Sequence, residues 1–305
     1  MRVLVTGAAG FIGSHVVDAL LARGDAVAAI DHLRRRPRPW LADAMRRGLD
    51  LHVGDVRDLE LVSAAVAAAR PEAVLHLAAQ VDVRRSVADP SFDAMVNVAG
   101  TVAVLEAARQ AGTPRVVLAS TAAVYGDPPM IPTPETAPIA PLSPYGTSKA
   151  AAEWYLAQYA RLHGLSTLAL RMANVYGPRQ DPHGEAGVVA IFTGAAAAGE
   201  AVTMYGSGEQ TRDYVLVDDV VEAWLRATEA DATGAVNIAT GVESSVQELA
   251  RALGVRARRA PARPGEVDRS CLDPRRAREA LGWEARAPLA DGLGLTVEAL
   301  RRAGA

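Results

Sequence analysis

The sequence predicts an α/β fold built on a mostly parallel, doubly wound sheet, and two features support this prediction. Short apolar runs alternate with Ala-rich segments of helical pattern through the first half of the chain, and a glycine-rich turn joins the first run to the first helix. Strands that alternate with helices form right-handed βαβ units. Because the runs are apolar throughout, we expect helices on both faces of the sheet, in a Rossmann-like arrangement.

The predicted elements follow one another in a regular order. Strands are predicted at residues 2–6, 26–31, 49–54, 73–77 and 115–120, and helices at 11–23, 58–69, 91–111 and 145–163. The proline-rich segment 127–144 is bracketed by motifs, so we expect a loop folded near the site. Residues 1–177 are predicted to form a dinucleotide-binding domain, and 178–305 mainly a smaller substrate lobe. Parts of about 210–240 are expected to return to the sheet, with the run 213–217 as the candidate strand.

The composition limits the classes of function. The chain has 305 residues, half of them apolar, and a formal net charge of −3, which gives no reason to expect a nucleic-acid or membrane partner. The basic run from Arg34 to Arg38 is expected to be a solvated loop. The single cysteine, Cys271, excludes an intrachain disulfide and fits a cytoplasmic location. We expect no signal peptide, no transmembrane helix and no metal site.

The first candidate site is the glycine-rich turn Gly7-Ala8-Ala9-Gly10-Phe11-Ile12-Gly13, between a predicted strand and a predicted helix. Glycines allow a tight turn and the close approach of a pyrophosphate, which the helix N-terminus attracts. Asp31 ends the next strand, where a carboxylate can hold the adenosine ribose hydroxyls and repel a 2′-phosphate. These residues predict NAD rather than NADP as the cofactor.

The second candidate site is Tyr145-Gly146-Thr147-Ser148-Lys149, and Lys149 is the only lysine in a chain with 31 arginines. Positions i and i+4 share one face of a helix. A tyrosine has an ordinary pKa of about 10, so a phenolate base needs help at neutral pH. A neighbouring ammonium and a cationic nicotinamide ring both favour the phenolate, and the ammonium can also bind the cofactor ribose.

The third candidate site is Ser120-Thr121, at the end of the fifth predicted strand. Ligands of open parallel sheets bind at the carboxyl ends of the strands. A hydroxyl there can relay a proton between Tyr145 and a substrate oxygen. Taken alone, this pair would indicate an ordinary strand-end turn.

With these motifs the chain resembles the extended short-chain dehydrogenase/reductases, and among them the bacterial UDP-galactose 4-epimerases. The resemblance runs over nearly the whole chain, and the joint order of its segments is specific although each one is modest. The segments that carry it are residues 54–58, 76–80, 81–90, 97–101, 120–126, 143–149, 174–180, 210–214 and 263–266.

The resemblance implies a role for each matching residue. NAD would stay tightly bound through turnover, held by Gly7, Gly10, Phe11, Ile12, Gly13, Asp31, Asp55, Val56, Leu77, Ala78, Ala79, Gln80, Asn97, Tyr145 and Lys149. A UDP-sugar would be bound by Thr121, Asn174, Val189, Thr203, Tyr205, Arg212, Arg263, Glu266 and Ser270. In the second set Arg212 and Arg263 would clamp the diphosphate, and Glu266 would contact the uridine ribose. Val189, Thr203 and Tyr205 would lie near the uracil, although ordinary core positions are an alternative for them.

The implied reaction inverts the 4-hydroxyl of the sugar and so interconverts UDP-glucose and UDP-galactose. Tyr145 would take the hydroxyl proton, directly or through Thr121, while the C4 hydride passes to NAD. The 4-keto sugar would then rotate and take the hydride back on its other face. Ser270 is small where similar epimerases that exclude N-acetylhexosamines carry a bulky aromatic, so turnover of UDP-GlcNAc and UDP-GalNAc is also implied. Similar proteins are typically homodimers, formed here through the helices at 91–111 and 145–163.

Several alternatives stay open. Related dehydratases carry an Asp-Glu pair after the strand-end Thr, and related decarboxylases a glutamate nearby; Ala122 and Ala123 stand there, which disfavours both. A 4-epimerase of UDP-glucuronate is an alternative, because Arg84, Arg85 or Arg179 could meet a carboxylate. A keto-sugar reductase would use the same Tyr-Lys pair. A non-catalytic NAD-binding regulator would share the fold but would not need the pair.

Overall fold

The computed structural model describes residues 1–33, 39–182, 187–262 and 267–304. Its strands are β1 (Arg2–Thr6), β2 (Ala26–Asp31), β3 (Asp50–Val53), β4 (Ala73–His76), β5 (Arg115–Thr121), β6 (Ser166–Met172), β7 (Asn174–Tyr176), β8 (Val202–Tyr205), β9 (Thr211–Leu216), β10 (Gly234–Ile238), β11 (Glu243–Ser245), β12 (Ala257–Ala260) and β13 (Arg269–Ser270). Its α-helices are α1 (Phe11–Arg23), α2 (Pro39–Arg46), α3 (Leu59–Ala69), α4 (Val83–Ala88), α5 (Pro90–Ala94), α6 (Gly100–Ala111), α7 (Pro144–His163), α8 (Val188–Ala198), α9 (Val217–Glu229), α10 (Val246–Ala252), α11 (Arg275–Leu281) and α12 (Leu289–Gly304).

The main sheet confirms the predicted fold class. Seven parallel strands lie in the order β3-β2-β1-β4-β5-β6-β10. The strand order reverses between β1 and β4, so the loops after these two strands part there and leave a crevice at their carboxyl ends. This crevice is where the glycine-rich turn lies.

Two apolar layers cover the sheet, one on each face. On one face α1 and α9 contribute Val16, Leu20, Val220 and Trp224 to the core. On the other face α3, α6 and α7 contribute Val62, Val66, Leu105 and Leu156, among other side chains. Apolar area removed from water on both faces is the main stabilising contribution to such a sheet, at about 25 cal/mol per Å². The continuous apolar runs of the sequence reflect this double coverage.

Local signals set the ends of the helix that carries Tyr145 and Lys149. Ser143 caps α7, because its hydroxyl accepts a hydrogen bond from the Gly146 amide at 3.2 Å, and Pro144 occupies the first turn. At the other end Gly164 takes a left-handed conformation with φ 68°. The helix therefore begins one residue before Tyr145, which places the tyrosine in its first turn, beside the end of β5.

The C-terminal part differs from the prediction at one strand. The run 213–217 does not return to the main sheet, because β9 pairs with β7, β11 and β13 in a second sheet. The segment that does return is β10, which pairs with β6 at the edge. Its length and composition resemble those of the other short strands of this region, so the apolar pattern alone could not separate them. β8 and β12 form a further parallel pair.

The proline-rich segment folds against the C-terminal part of the chain. The Thr133 amide donates to the Cys271 carbonyl at 2.9 Å, and the Asn237 amide donates to a Glu135 carboxylate oxygen at 2.8 Å. The segment thus joins β10 to the turn after β13, as a loop rather than a linker. Residues Arg34 to Arg38 lie outside the described residues.

Among the described residues, one helical stretch meets the length and hydropathy criteria for a membrane-spanning helix, although the sequence predicts none. Pro90–Ala111 is 22 residues long, and an 18-residue window of it has a mean hydropathy of 1.2 and is half buried inside the fold. It consists of α5, a π-helical turn at Met95–Ala99 and α6. Core helices pass the same test, and the inner face of α6 lies in the core beside α3. Within the described residues no group of three or more His, Cys, Asp or Glu side chains is placed to hold a metal ion.

Candidate active site

The glycine-rich turn is packed so closely that side chains do not fit. Gly7 has φ +75°, and a Cβ added to it would lie 2.7 Å from the Ala78 amide nitrogen. A Cβ on Gly13 would lie 2.1 Å from the Gly7 carbonyl oxygen. Gly10 precedes α1, and no side chain caps the helix. The first-turn amides of α1 therefore remain directed at the crevice, as a pyrophosphate site requires.

Asp31 braces this turn from the end of β2. Its carboxylate accepts hydrogen bonds from the amides of Ala9 and Leu33, both at 2.9 Å. Each carboxylate oxygen has a second lone pair, so the side chain can hold the turn and still accept from ribose hydroxyls. The glycine-rich turn, the first-turn amides of α1 and this carboxylate fit the adenosine half of NAD.

The residues predicted at the adenine lie after β3. Asp55 binds the guanidinium of Arg57 through two hydrogen bonds, at 2.9 and 2.7 Å. These bonds lower the pKa of Asp55 to about 2. Val56 is buried, and a Cβ on Gly100 would lie 3.0 Å from its side chain. The Asp55 carboxylate is therefore fixed by a protein partner, and its contact with adenine stays a prediction.

The loop after β4 is held by buried polar side chains. The Ala78 amide donates to the Thr6 hydroxyl at 3.1 Å, and that hydroxyl contacts Nδ1 of His76 at 2.7 Å. The Gln80 amide donates to Oδ1 of Asn97 at 2.9 Å, and Nδ2 of Asn97 donates back to the Gln80 carbonyl at 3.0 Å. This geometry fixes residues 77–80 along the crevice, on the side predicted for the nicotinamide.

The three predicted catalytic side chains converge at the end of β5. A hydrogen bond joins the hydroxyls of Thr121 and Tyr145. Lys149 is buried, and its ammonium donates to the Ala119 carbonyl at 2.9 Å, which leaves two of its three hydrogens for other acceptors. A proton path through Thr121 and a ribose contact at Lys149 are therefore both geometrically available.

The electrostatics of this group differ from the sequence-based expectation. Burial raises the pKa of Tyr145 to about 12, the bond to Thr121 lowers it, and the charge of Asp93 raises it further. Burial also lowers the pKa of Lys149 to about 8. The protein alone does not favour the phenolate, because desolvation outweighs the hydrogen bond from Thr121.

A large cavity in the C-terminal part contains four of the nine predicted substrate residues. Its volume is about 1060 Å³, and its wall includes Asn174, Thr203, Tyr205 and Arg212. Met172 pairs with Thr121 across β6 and β5, so Asn174, two residues further on, places the cavity beside the catalytic strand end. A guanidinium in such a wall suits a diphosphate.

The other predicted substrate residues have different positions. Val189 is 3% exposed and lies in the core, whereas its neighbour Val188 faces the cavity, so the core alternative describes Val189 better. Ser270 pairs with Arg212 between β13 and β9, which places it next to this residue of the cavity wall. Arg263 and Glu266 lie outside the described residues.

Two buried acidic residues beside the site were not singled out from the sequence. Asp93 is 1% exposed and accepts a hydrogen bond from Nε2 of Gln80 at 2.8 Å. Glu153 follows Lys149 by one helical turn and accepts from the Ser120 hydroxyl. The four-residue spacing from Tyr145 to Lys149 to Glu153 was a readable signal, since it puts all three on one helix face.

The fold and the site together define an NAD-dependent enzyme with a glycine-rich turn at the crevice and a Thr-Tyr-Lys group beside it. The chain belongs to the NAD dependent epimerase/dehydratase family, whose profile matches residues 3–239.

Individual relatives are similar over the full length. The chain is 49% identical to the UDP-glucose 4-epimerase of Mycolicibacterium smegmatis, over 99% of each chain. The structure of UDP-glucose 4-epimerase from Thermotoga maritima with UDP-glucose is similar with a TM-score of 0.95 and 43% identity, covering 100% of both chains. The Thermus thermophilus UDP-glucose 4-epimerase complex with NAD is similar with a TM-score of 0.91 and 44% identity, covering 99% of both chains.

Proposed function

We propose that this protein is an NAD-dependent enzyme that interconverts UDP-glucose and UDP-galactose through a 4-keto sugar. The observation that carries the proposal is the convergence of Thr121, Tyr145 and Lys149 between the glycine-rich crevice and the cavity wall at Asn174 and Arg212. Full-length similarity to 4-epimerases supports the same reaction. Ala122 and Ala123 offer no acid or base for elimination of water.

The side chains divide the chemistry among them. NAD supplies the hydride acceptor and donor when bound. Tyr145 takes the proton of the sugar 4-hydroxyl and later returns it. The Thr121 hydroxyl, bonded to Tyr145, would also hydrogen-bond the sugar 4-oxygen. Lys149 lies fixed on the Ala119 carbonyl with hydrogens to spare for a ribose. Arg212 holds the diphosphate, so that the sugar can turn while the nucleotide stays in place.

The experiment that tests the proposal is NMR of UDP-galactose incubated with purified protein and no added cofactor. Appearance of UDP-glucose up to a fixed equilibrium ratio supports both 4-epimerisation and retained NAD. No conversion, even after NAD⁺ is added, overturns the proposal for this substrate pair.

The proposal extends to N-acetylated sugars. Ser270 lies in register with Arg212 and carries a small side chain, which leaves room beside the cavity wall for an N-acetyl group. UDP-GlcNAc and UDP-GalNAc are then substrates as well. Undetectable turnover of UDP-GalNAc beside rapid turnover of UDP-galactose would contradict this extension.

The positions of Arg84, Arg85 and Arg179 do not support the alternative of a UDP-glucuronate 4-epimerase. Arg179 forms an ion pair with Asp18 at 2.7 Å and lies over the Trp40 ring. Arg85 lies over the Phe92 ring, 4.2 Å from its centre. Arg84 is exposed, and its nearest carboxylate contact is Asp82, at 4.0 Å. None of these contacts directs a guanidinium at the catalytic group.

The quaternary state proposed is a homodimer in the cytoplasm. Trp154, Tyr155 and Leu162 on α7 and Met95 beside α6 are large apolar side chains that this single chain leaves exposed. Large exposed apolar patches favour association between proteins, so a second copy of the chain would cover these side chains. Analytical ultracentrifugation should give twice the 31.9 kDa chain mass, and Trp154→Glu should halve it, whereas Val242→Glu, in an exposed turn, should not.

A further inference from the structure

Asp93 on α5 is a buried carboxylate to which the reaction described so far gives no role. Its Oδ1 atom accepts hydrogen bonds from Nε2 of Gln80 at 2.8 Å and from Nδ2 of Asn97 at 3.2 Å. Its Oδ2 atom is buried without a hydrogen-bond partner among the described residues. A buried charge of this kind opposes folding unless another charge compensates for it. The compensating charge must therefore come from the surroundings.

A chain of hydrogen bonds leads from Asp93 to the catalytic helix. Asn97, bound to Asp93, also donates through Nδ2 to the Ser148 hydroxyl at 3.1 Å. The Ser148 hydroxyl donates in turn to the Tyr145 carbonyl at 3.0 Å. Gln80, the other partner of Asp93, belongs to the loop along the crevice. One carboxylate thus joins the cofactor-side loop to the helical turn between Tyr145 and Lys149.

Among the charged groups around Lys149, Asp93 has the largest uncompensated effect on the protonation of its amine. Glu153 acts on Lys149 from the same helix, but it is bound to the guanidinium of Arg171 at 2.6 Å, which balances its charge. His76 acts from β4 and is neutral, because burial lowers its pKa to about 3. Asp93 acts from α5, and its own hydrogen-bond donors are neutral amides. Its negative charge has no positive partner of its own, so it raises the pKa of Lys149 and opposes the lowering caused by burial.

We propose that Asp93 is a positioning residue for the reaction: its carboxylate aligns Gln80, Asn97 and Ser148, and its charge holds Lys149 as an ammonium. Without that charge about half of the Lys149 side chains would be deprotonated near neutral pH, and these would lack the charge and the third hydrogen that their interactions use. The part of this inference that concerns turnover rests on the proposed function, whereas the part that concerns Lys149 does not.

The chain offers a direct probe, because Lys149 is its only lysine. In a protein labelled with ¹³C-lysine and carrying no lysine tag, the side-chain NMR signal reports the titration of this one ammonium. Asp93→Asn keeps an oxygen that accepts both amide hydrogens and removes the charge. We expect the Lys149 midpoint to fall by about one pH unit, the lower end of the effect of a nearby charge. An unchanged midpoint in Asp93→Asn overturns the proposal.

Two further variants separate charge from structure. Asp89→Asn makes the same chemical change at the exposed cap of α5 and should leave the midpoint where it is in the unmodified protein. Asp93→Glu keeps the charge and should also hold the midpoint. If Asp93→Glu lowers the midpoint as far as Asp93→Asn does, altered packing explains the effect and the proposal fails.

The pH profile of kcat gives a second readout. The charge of Asp93 raises the pKa of both Tyr145 and Lys149, so its removal should let both lose their protons at lower pH. The whole profile should then move to lower pH in Asp93→Asn, whereas a merely loosened site lowers kcat at every pH. If no UDP-galactose is converted by any form but the Lys149 midpoint still moves, the proposed reaction fails and the charge relationship stands.

Discussion

Glu153 and Arg171 form a buried ion pair directly behind the end of β5, where Thr121 lies. The guanidinium of Arg171 contacts both carboxylate oxygens of Glu153, with the shortest distance 2.6 Å, and the two side chains are 7% and 6% exposed. Arg171 also donates to the Tyr125 hydroxyl at 2.8 Å, and Glu153 accepts from Ser120. The pair thus connects β5, β6 and α7 beneath Thr121 and Lys149.

Removal of one member of this pair should strongly destabilise the protein. In Glu153→Gln the buried Arg171 loses its counter-charge, so we expect the free energy of unfolding to fall by about 3–5 kcal/mol. Urea unfolding followed by circular dichroism measures this loss. The control is Glu298→Gln, which breaks an exposed i,i+4 pair with Arg302 and should cost less than about 0.5 kcal/mol. Equal losses in both variants would contradict the argument.

Substitution of Gly13 should remove the cofactor. In Gly13→Ala the new Cβ would lie 2.1 Å from the Gly7 carbonyl oxygen, so the turn must open and the amides of α1 shift away from the pyrophosphate position. We expect at least a tenfold loss of the NAD that remains with the purified protein, measured after denaturation. Gly294→Ala, inside α12 where a Cβ meets no atom within 4 Å, should retain its NAD and gain about 0.5–1 kcal/mol of stability.

The sequence predicts the N-terminal half of the fold well for a physical reason. Strands such as β1 and β2 are buried on both faces, and helices such as α1 end at a left-handed glycine, Gly24. The apolar pattern and the helix-ending residues therefore indicate the same element bounds. The predicted bounds of these three elements match the structure. In the C-terminal half β9 and β10 are both short and each contains a few apolar residues, and only tertiary pairing decides which one joins the main sheet.

The site shows the same division. The sequence singles out Gly7, Tyr145 and Lys149 because the chemistry predicted for them requires particular residues at fixed spacing. It does not single out Asp93, because the role of Asp93 depends on the neighbours that folding brings to it, Gln80 and Asn97. Val188 and Val189 are neighbours on α8 and face different sides of the helix, so one lines the cavity and the other lies in the core. The sequence alone does not show which of the two faces the cavity.

Acid should destabilise the protein partly through His76. Burial lowers the pKa of His76 to about 3 in the folded protein, whereas an unfolded chain has an ordinary value of about 6.5. As pH falls from 6.5 towards 3 the unfolded chain binds a proton that the folded protein does not, so stability falls by up to about 1.4 kcal/mol per pH unit.

The His76→Gln variant should show a shallower dependence of unfolding free energy on pH over this range, even if it is less stable at pH 7. His163→Gln, at the exposed end of α7, should keep the full dependence. Chemical denaturation at several pH values provides the comparison. An identical slope in His76→Gln would mean that other groups account for the acid sensitivity.

A bulky residue at position 270 should narrow the substrate range. Ser270→Tyr fills the space beside Arg212, so we expect UDP-GalNAc turnover to fall at least tenfold while UDP-galactose turnover changes less than threefold. Parallel NMR assays with the two nucleotide sugars measure the ratio. Arg269→Gln, next to it on the exposed side of β13, is the control and should leave the ratio unchanged. A parallel loss of both activities in Ser270→Tyr would show that the residue supports the cavity without setting specificity.

The proposed role of Tyr145, as the group that moves the proton, makes the sharpest prediction for turnover. Phenylalanine fits the same space but neither accepts nor returns a proton, so Tyr145→Phe should lower kcat, measured per enzyme-bound NAD, by about 10²–10⁴. Tyr159→Phe, on the same helix, removes only a 3.2 Å hydrogen bond to Glu106 and should keep nearly full activity. If Tyr145→Phe keeps more than a tenth of the kcat, the proton passes through another group. Thr121, which shares the hydrogen bond with Tyr145, is then the next residue to substitute, and loss of activity in Thr121→Val would assign it that step.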